Sequence, residues 1–314
     1  MHLGWRALIK QYFQRNSGHF KLGIEVAELG IHISVMDCSK NQSDWSKQHF
    51  IELNDWPQKL KQWVLQQGLQ NSLCNLVIDA AHYQIYQVEK PSVPQEELAQ
   101  ALRWSVKDLL VDSQDVVLDY YEHPAQTAGA NKVSVVAVKR AYLDALIKHI
   151  SQAGLALSVV SIEEMAFCEL LPAEQEATIV LSQNLGQDLH LYIIKQGKLY
   201  FNRKLRGYNL LSSMSLDEMR GGMLENLATE IQRSMDYFES QLHQAPVTRV
   251  GLVLDTDFQQ EVAQELNQLL MIQVEPVAPS FASQTGLTVK RAYFTSLGAA
   301  SMSDELEMEE THEI

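Results

Sequence analysis

Cysteine is scarce in this chain. Cys38, Cys74 and Cys168 are the only three in 314 residues, too widely spaced for a disulfide framework or a zinc site, and they imply a reducing, cytoplasmic compartment. The ten histidines are scattered, and no HExxH or similar metal spacing occurs. No apolar run approaches the roughly 18 residues that a membrane-spanning helix needs. The N-terminus lacks the apolar core of a signal peptide. Basic residues are also in deficit, 25 against 39 acidic, for a net charge of −14. That excludes nucleic-acid binding by bulk phosphate neutralisation.

What is present is an ordinary globular composition, 46% apolar and 20% charged. At roughly 150 residues per domain it suggests two domains. The charge is uneven. Residues 1–22 hold Arg6, Lys10, Arg15 and Lys21 and no acid, so the remainder carries 21 basic and all 39 acidic side chains. Trp5, Leu8, Ile9, Tyr12 and Phe13 recur at helical spacing, with Arg6 and Lys10 on the other sides. Residues 1–19 therefore read as a basic amphipathic helix, able to lie in a membrane headgroup region or to pack on a domain or partner. At the other end, residues 303–314 contain six acids and read as a solvated, disordered tail.

One element order occurs twice. Residues 20–37 read as two strands around a turn at 27–30, the second alternating Ile31, Ile33 and Val35 against His32 and Ser34. A third strand at 49–53, a helix at 56–67 and a buried strand at 76–79 follow. The same β-β-β-α-β order returns with strands at 178–181, 189–194 and 199–203, a helix at 223–243 and a strand at 250–254. Between them lies an inserted segment. It has a helix over 92–110, whose stripe of Leu98, Leu102, Val106 and Leu109 leaves Trp104 to one side, then strands at 116–121 and 133–138. A helix at 141–153 and a strand at 157–162 complete it. Two isolated acid features remain. Glu163–Glu164 suits the start of a helix, and Asp79 with His82 suits an exposed loop better than acid–base work.

The stretches Ala101-Leu102-Arg103-Trp104, Asp115-Val116-Val117-Leu118-Asp119-Tyr120 and Glu230-Ile231-Gln232-Arg233-Ser234-Met235-Asp236-Tyr237-Phe238 carry a resemblance. Together they resemble the PilM family of actin-like proteins of type IV pilus assembly, and within it the branch serving the mannose-sensitive haemagglutinin (MSHA) pilus. The fold this implies is α/β, a duplicated actin-like, ribonuclease H-like arrangement with an inserted small α/β module. The first actin-like domain would span 20–177, with the module at about 90–155, and the second 178–302.

Actin-like folds hold Mg-ATP between their halves, using Asp-x-Gly hairpins and a Gly-Gly turn. Glycine lets backbone N–H groups approach phosphate, and aspartate holds hydrated magnesium. Here Glu25 and Ala27 stand at the first hairpin, with Glu28 adding an anion. Ser182 and Asn184 stand at the second. The turn 254–258 has no glycine, and Asp255, Thr256 or Asp257 is placed to cap the next helix. The expectation is a degenerate nucleotide site with no catalytic residues, no metal and no cofactor.

The resemblance further implies a cytoplasmic scaffold, peripheral at the inner membrane. It would bind the N-terminal tail of a PilN-like membrane protein, with pilus motor components as possible further partners. Candidate tail contacts are Trp104, Leu109, Leu118, Tyr120 and Tyr121, although Leu109 and Leu118 also suit a core. Candidate membrane or partner contacts are Trp5, Arg6, Lys10 and Phe13. Two alternatives stand beside this: an active actin-like ATPase, and the scaffold of a type II secretion system. The latter is usually joined to a membrane helix, which is not seen before the acidic tail.

Overall fold

A computed structural model describes residues 19–39, 44–110, 115–184, 186–279 and 290–302. The basic N-terminal segment with Trp5, Arg6, Lys10 and Phe13, and the acidic segment 303–314, lie outside the described residues. Among the described residues no helix is long and apolar enough to cross a membrane.

Two five-stranded sheets form the body, and their topology is the same. In the first, β1 (Phe20–Ala27), β2 (Gly30–Asp37), β3 (Asp44–Glu52), β4 (Leu73–Ile78) and β8 (Ala156–Ile162) lie in the order β3-β2-β1-β4-β8. In the second, β9 (Thr178–Gln183), β10 (Leu189–Lys195), β11 (Lys198–Leu205), β12 (Arg249–Leu254) and β13 (Gln273–Pro276) lie in the order β11-β10-β9-β12-β13. In each, a hairpin meander runs antiparallel and the later strands join parallel through helical crossovers. The crossover helices are α1 (Trp56–Gln67) in the first lobe, and α5 (Leu224–Ser240) and α6 (Gln259–Leu270) in the second.

The module is a three-stranded antiparallel sheet, β5 (Tyr83–Glu89), β7 (Lys132–Lys139) and β6 (Val116–Tyr121), in the order β5-β7-β6. Helix α2 (Gln95–Val106) covers it through Leu98, Leu102 and Val106, giving the module its own core. The helix stops at Val106, short of the expected 110, so Leu109 leaves the stripe and is 49% exposed. Helix α3 (Arg140–Gln152), expected in the inserted segment, packs instead into the first-lobe core through Leu143, Leu146, Ile147 and Ile150.

Two further helices join the lobes: α4 (Glu163–Leu170) and α7 (Phe294–Ser301). They cross so closely that a Cβ on Gly298 would sit 2.1 Å from the Ala166 carbonyl oxygen. One on Gly23 of β1 would sit 1.8 Å from the Ser296 carbonyl oxygen. Only glycine permits either approach. Helix α7 also explains why β2 departs from its expected alternation. The face carrying Ser34 is covered by α7, and the Ser34 and Ser296 hydroxyls hydrogen-bond at 2.8 Å. An apolar cluster then runs from one lobe to the other, with Met36 and Trp45 meeting Phe167, Val180, Tyr192, Val253 and Leu297.

Candidate functional site

The cleft between the lobes is built from the ends of register-equivalent strands. Glu25 pairs with Val77 on β4, and Ser182 pairs with Val253 on β12, so the two occupy matching places in the duplicated sheets. Asp79 directly follows β4, as Asp255 directly follows β12. The positions match; the residues do not behave alike.

In the first lobe the acids are buried. Glu25 is 2% exposed and Asp79 1%. Burial, reinforced by the charge of Glu163, pushes the Glu25 carboxyl up to about 8, and the Arg291 guanidinium only partly opposes it. Across the hairpin, His32 Nδ1 lies 3.6 Å from Glu25 Oε2. Burial and then Arg291 push the His32 imidazole down to about 4, so it stays neutral at pH 7. Asp79 is also raised, first by burial, and its Oδ1 accepts the Ala81 N–H at 2.8 Å. It is a buried cap on a short 3₁₀ turn, not an exposed loop acid. Ala27 is half-buried at the turn, and Glu28 is exposed.

In the second lobe Asp255 and Asp257 are exposed, and neither caps α6. The Thr256 hydroxyl accepts the Phe258 N–H, while the Gln259 side chain accepts the Leu254 N–H at 2.7 Å. Two turn donors are thus taken by side chains. Asn184 is half-buried at the second hairpin, its amide 3.4 Å from Gln187 Oε1.

Between the lobes sits a residue the sequence did not single out. Arg291 is 7% exposed, and its Nη2 donates to Ser182 Oγ at 2.7 Å and to Glu163 Oε1 at 3.2 Å. Its guanidinium stacks over the Phe167 ring at 5.6 Å. Glu163 does begin a helix, as expected, but it is 4% exposed and paired rather than solvated. An arginine just before an uncharged run, 293–300, was the signal available in the sequence.

The tail candidates separate into two groups. Leu118 and Tyr120 are 6% and 7% exposed and belong to the module core, where they are unavailable to a docking peptide. Their inward side of β6 is the side α2 covers. Trp104 is 66% exposed, with Lys107 Nζ 5.1 Å from its ring centre, and Leu109 is likewise outside. Tyr121 is half-buried where the first-lobe and shared cores meet, and its hydroxyl has no hydrogen-bond partner among the described residues. The structure also opens a groove of about 490 Å³ between module and first lobe, lined by His82, Tyr83, Leu110, Val116, Lys139 and Tyr142, among others. The His82 and Tyr142 rings stack at 4.2 Å, and the buried Tyr142 hydroxyl likewise lacks a partner.

These two lobes, with paired hairpin sheets around a cleft and a module on the first, define the duplicated actin-like fold. No family model matches the sequence, and no curated protein matches it. Among solved structures the chain is similar to the PilM-PilN type IV pilus biogenesis complex. The TM-score is 0.65 at 17% identity, over 89% of this chain and 97% of that one. It is also similar to the cytoplasmic domain of EpsL, an inner membrane component of the type II secretion system of Vibrio cholerae. There the TM-score is 0.51 at 12% identity, over 90% and 96% of the two chains.

Proposed function

We propose that this chain is a cytoplasmic, actin-like scaffold of MSHA-type type IV pilus assembly, peripheral at the inner membrane. Its partner is the N-terminal tail of a PilN-like inner-membrane protein. The observation that carries the reading is the likeness to PilM in its PilN complex, which extends over 89% of the chain. The groove between module and first lobe supports it. An extended peptide there finds an apolar wall in Leu110, the stacked rings of His82 and Tyr142, and a cation in Lys139. Trp104 and Leu109 supply a second, outer contact.

The cleft residues do not fit Mg-ATP. Glu28, Asp255 and Asp257 would repel a polyphosphate, the expected glycines are absent, and Arg291 sits where a cation would bridge the lobes. The chain is accordingly read as a pseudo-ATPase. A second reading, the scaffold of a type II secretion system, has the likeness to the EpsL domain behind it.

Calorimetric titration with synthetic N-terminal tails of a PilN-like protein and of the corresponding secretion-system protein tests this. The PilN-like tail should bind, and Tyr142→Ala, which removes a ring lining the groove, should weaken it about tenfold, or about 1.4 kcal/mol. Binding of the secretion-system tail alone would move the second reading to first place. No binding of either tail would remove the scaffold reading.

A further inference from the structure

We propose that the deep cleft is a guanidinium site occupied from within the chain: Arg291 fills the cation position between the lobes and ties Glu163 of one to Ser182 of the other. The inference rests on the reading of the cleft as one that does not take nucleotide.

Three carboxyl groups converge from the first lobe, Glu25, Asp79 and Glu163, each 4% exposed or less. A buried acid either stays protonated, as the raised Glu25 carboxyl does at pH 7, or needs a counter-charge, which a mobile metal ion is one way to supply. Here the chain supplies its own. A single Arg291 nitrogen, Nη2, reaches both the Glu163 carboxylate and the Ser182 hydroxyl, while Ser182 Oγ also lies 3.3 Å from Glu163 Oε1. A closed triangle of donor, carboxylate and hydroxyl results. The Phe167 ring beneath the guanidinium favours a planar, weakly hydrated cation over an ammonium.

The backbone behind Arg291 is fixed to the first lobe. It lies in the 3₁₀ turn Arg291–Tyr293 that leads straight into α7, the helix locked against β1 at Gly23 and against Ala166 at Gly298. Ser182 sits on β9 of the second lobe. The contact therefore spans the cleft and does not depend on a diffusible ligand. Nε and Nη1 of Arg291 and Oε1 of Glu25 are buried without a partner among the described residues.

The test uses the full chain with Arg291→Ala, followed by thermal unfolding with low-millimolar guanidinium chloride, sodium chloride or Mg-ATP. Arg291→Ala should lower the Tm by several degrees. Guanidinium should restore part of that loss, sodium chloride should not, and the parent chain should gain nothing from guanidinium. Ser182→Ala, which keeps the Arg291–Glu163 pair, serves if the alanine variant at 291 does not fold. Its amides at Gln183 and Gln187 should exchange hydrogen several-fold faster than in the parent. A loss of stability without guanidinium rescue overturns the site, and unchanged exchange in Ser182→Ala overturns the tie. Stabilisation of the parent chain by Mg-ATP overturns the underlying reading of the cleft instead, whatever guanidinium does.

Discussion

The two lobes share one sheet order and one strand register, yet they treat matching positions in opposite ways. Glu25 and Asp79 are buried acids, while their counterparts are a neutral Ser182 and an exposed Asp255. The difference teaches that the duplicated framework and the chemistry mounted on it have separate causes. The framework follows from apolar strands that must be covered on both faces. Side chains at the strand ends are not constrained by that requirement, so charge can accumulate on one side of the cleft. Glu25 is kept protonated at neutral pH by its burial, and Glu163 is paired from elsewhere in the chain by Arg291.

The sharpest way to break the comparison is Glu163→Ala. It removes the carboxylate from a buried pair and leaves Arg291 uncompensated, at a cost of about 3–5 kcal/mol. For a chain of this size that lowers the Tm by roughly 10 °C, at about 2–4 °C per kcal/mol. Asp255→Ala, on the exposed side, should change stability by less than about 0.5 kcal/mol. Equal effects from the two would show that the asymmetry of the cleft carries no energy.

A smaller effect sharpens the same contrast through pH. Glu25 faces Glu163, Asp79, Arg291 and His32, and its carboxyl is raised from 4.5 to about 8 in the fold. Between those values the unfolded chain has released a proton that the folded chain keeps. Its contribution to stability is therefore complete below pH 4.5 and is lost as pH rises through 8. His32 acts in the other direction, lowered from 6.5 to about 4, so its contribution is lost as pH falls through that window. Of this pair, only Glu25 gives a slope between pH 6.5 and 8, of up to about 1.4 kcal/mol per unit. Glu25→Gln, neutral throughout, should flatten that decline and be more stable than the parent at pH 8.5. Urea unfolding at several pH values reads it directly.

Much of the fold was legible because it rests on periodicity. The paired β-β-β-α-β order and the turn at 27–30 were readable from alternation, helical stripes and glycine. Four features escaped for physical reasons. Helix α7 has no polar stripe, since its residues 294–300 are buried all round, so no amphipathic pattern announces it. Strand β5 mixes exposed and buried positions irregularly, with only Tyr83 and Val88 fully covered. Within the cleft, the hairpin positions could be located by register, but Arg291 comes from far along the sequence. Its partnership with Glu163 and Ser182 exists only after α7 has docked. Burial of Asp79 was likewise invisible, because a strand-end acid looks the same whether capped inside or solvated outside.

The smallest stability effect belongs to Trp104→Ala, and its value lies in separating the module's inner and outer faces. Trp104 is 66% exposed and touches Lys107, whereas Leu118 lies in the module core. Trp104→Ala should leave the Tm within about 2 °C of the parent, as expected for a surface change of under about 0.5 kcal/mol. Leu118→Ala should cost about 2–5 kcal/mol through the cavity it leaves. If the outer face contacts the tail, Trp104→Ala weakens tail binding while the fold is untouched, because an exposed aromatic is covered only when a partner arrives. Unchanged affinity would confine the tail to the groove beside Tyr142 and leave Trp104 as surface. The two substitutions thus read stability on one face of the module and recognition on the other.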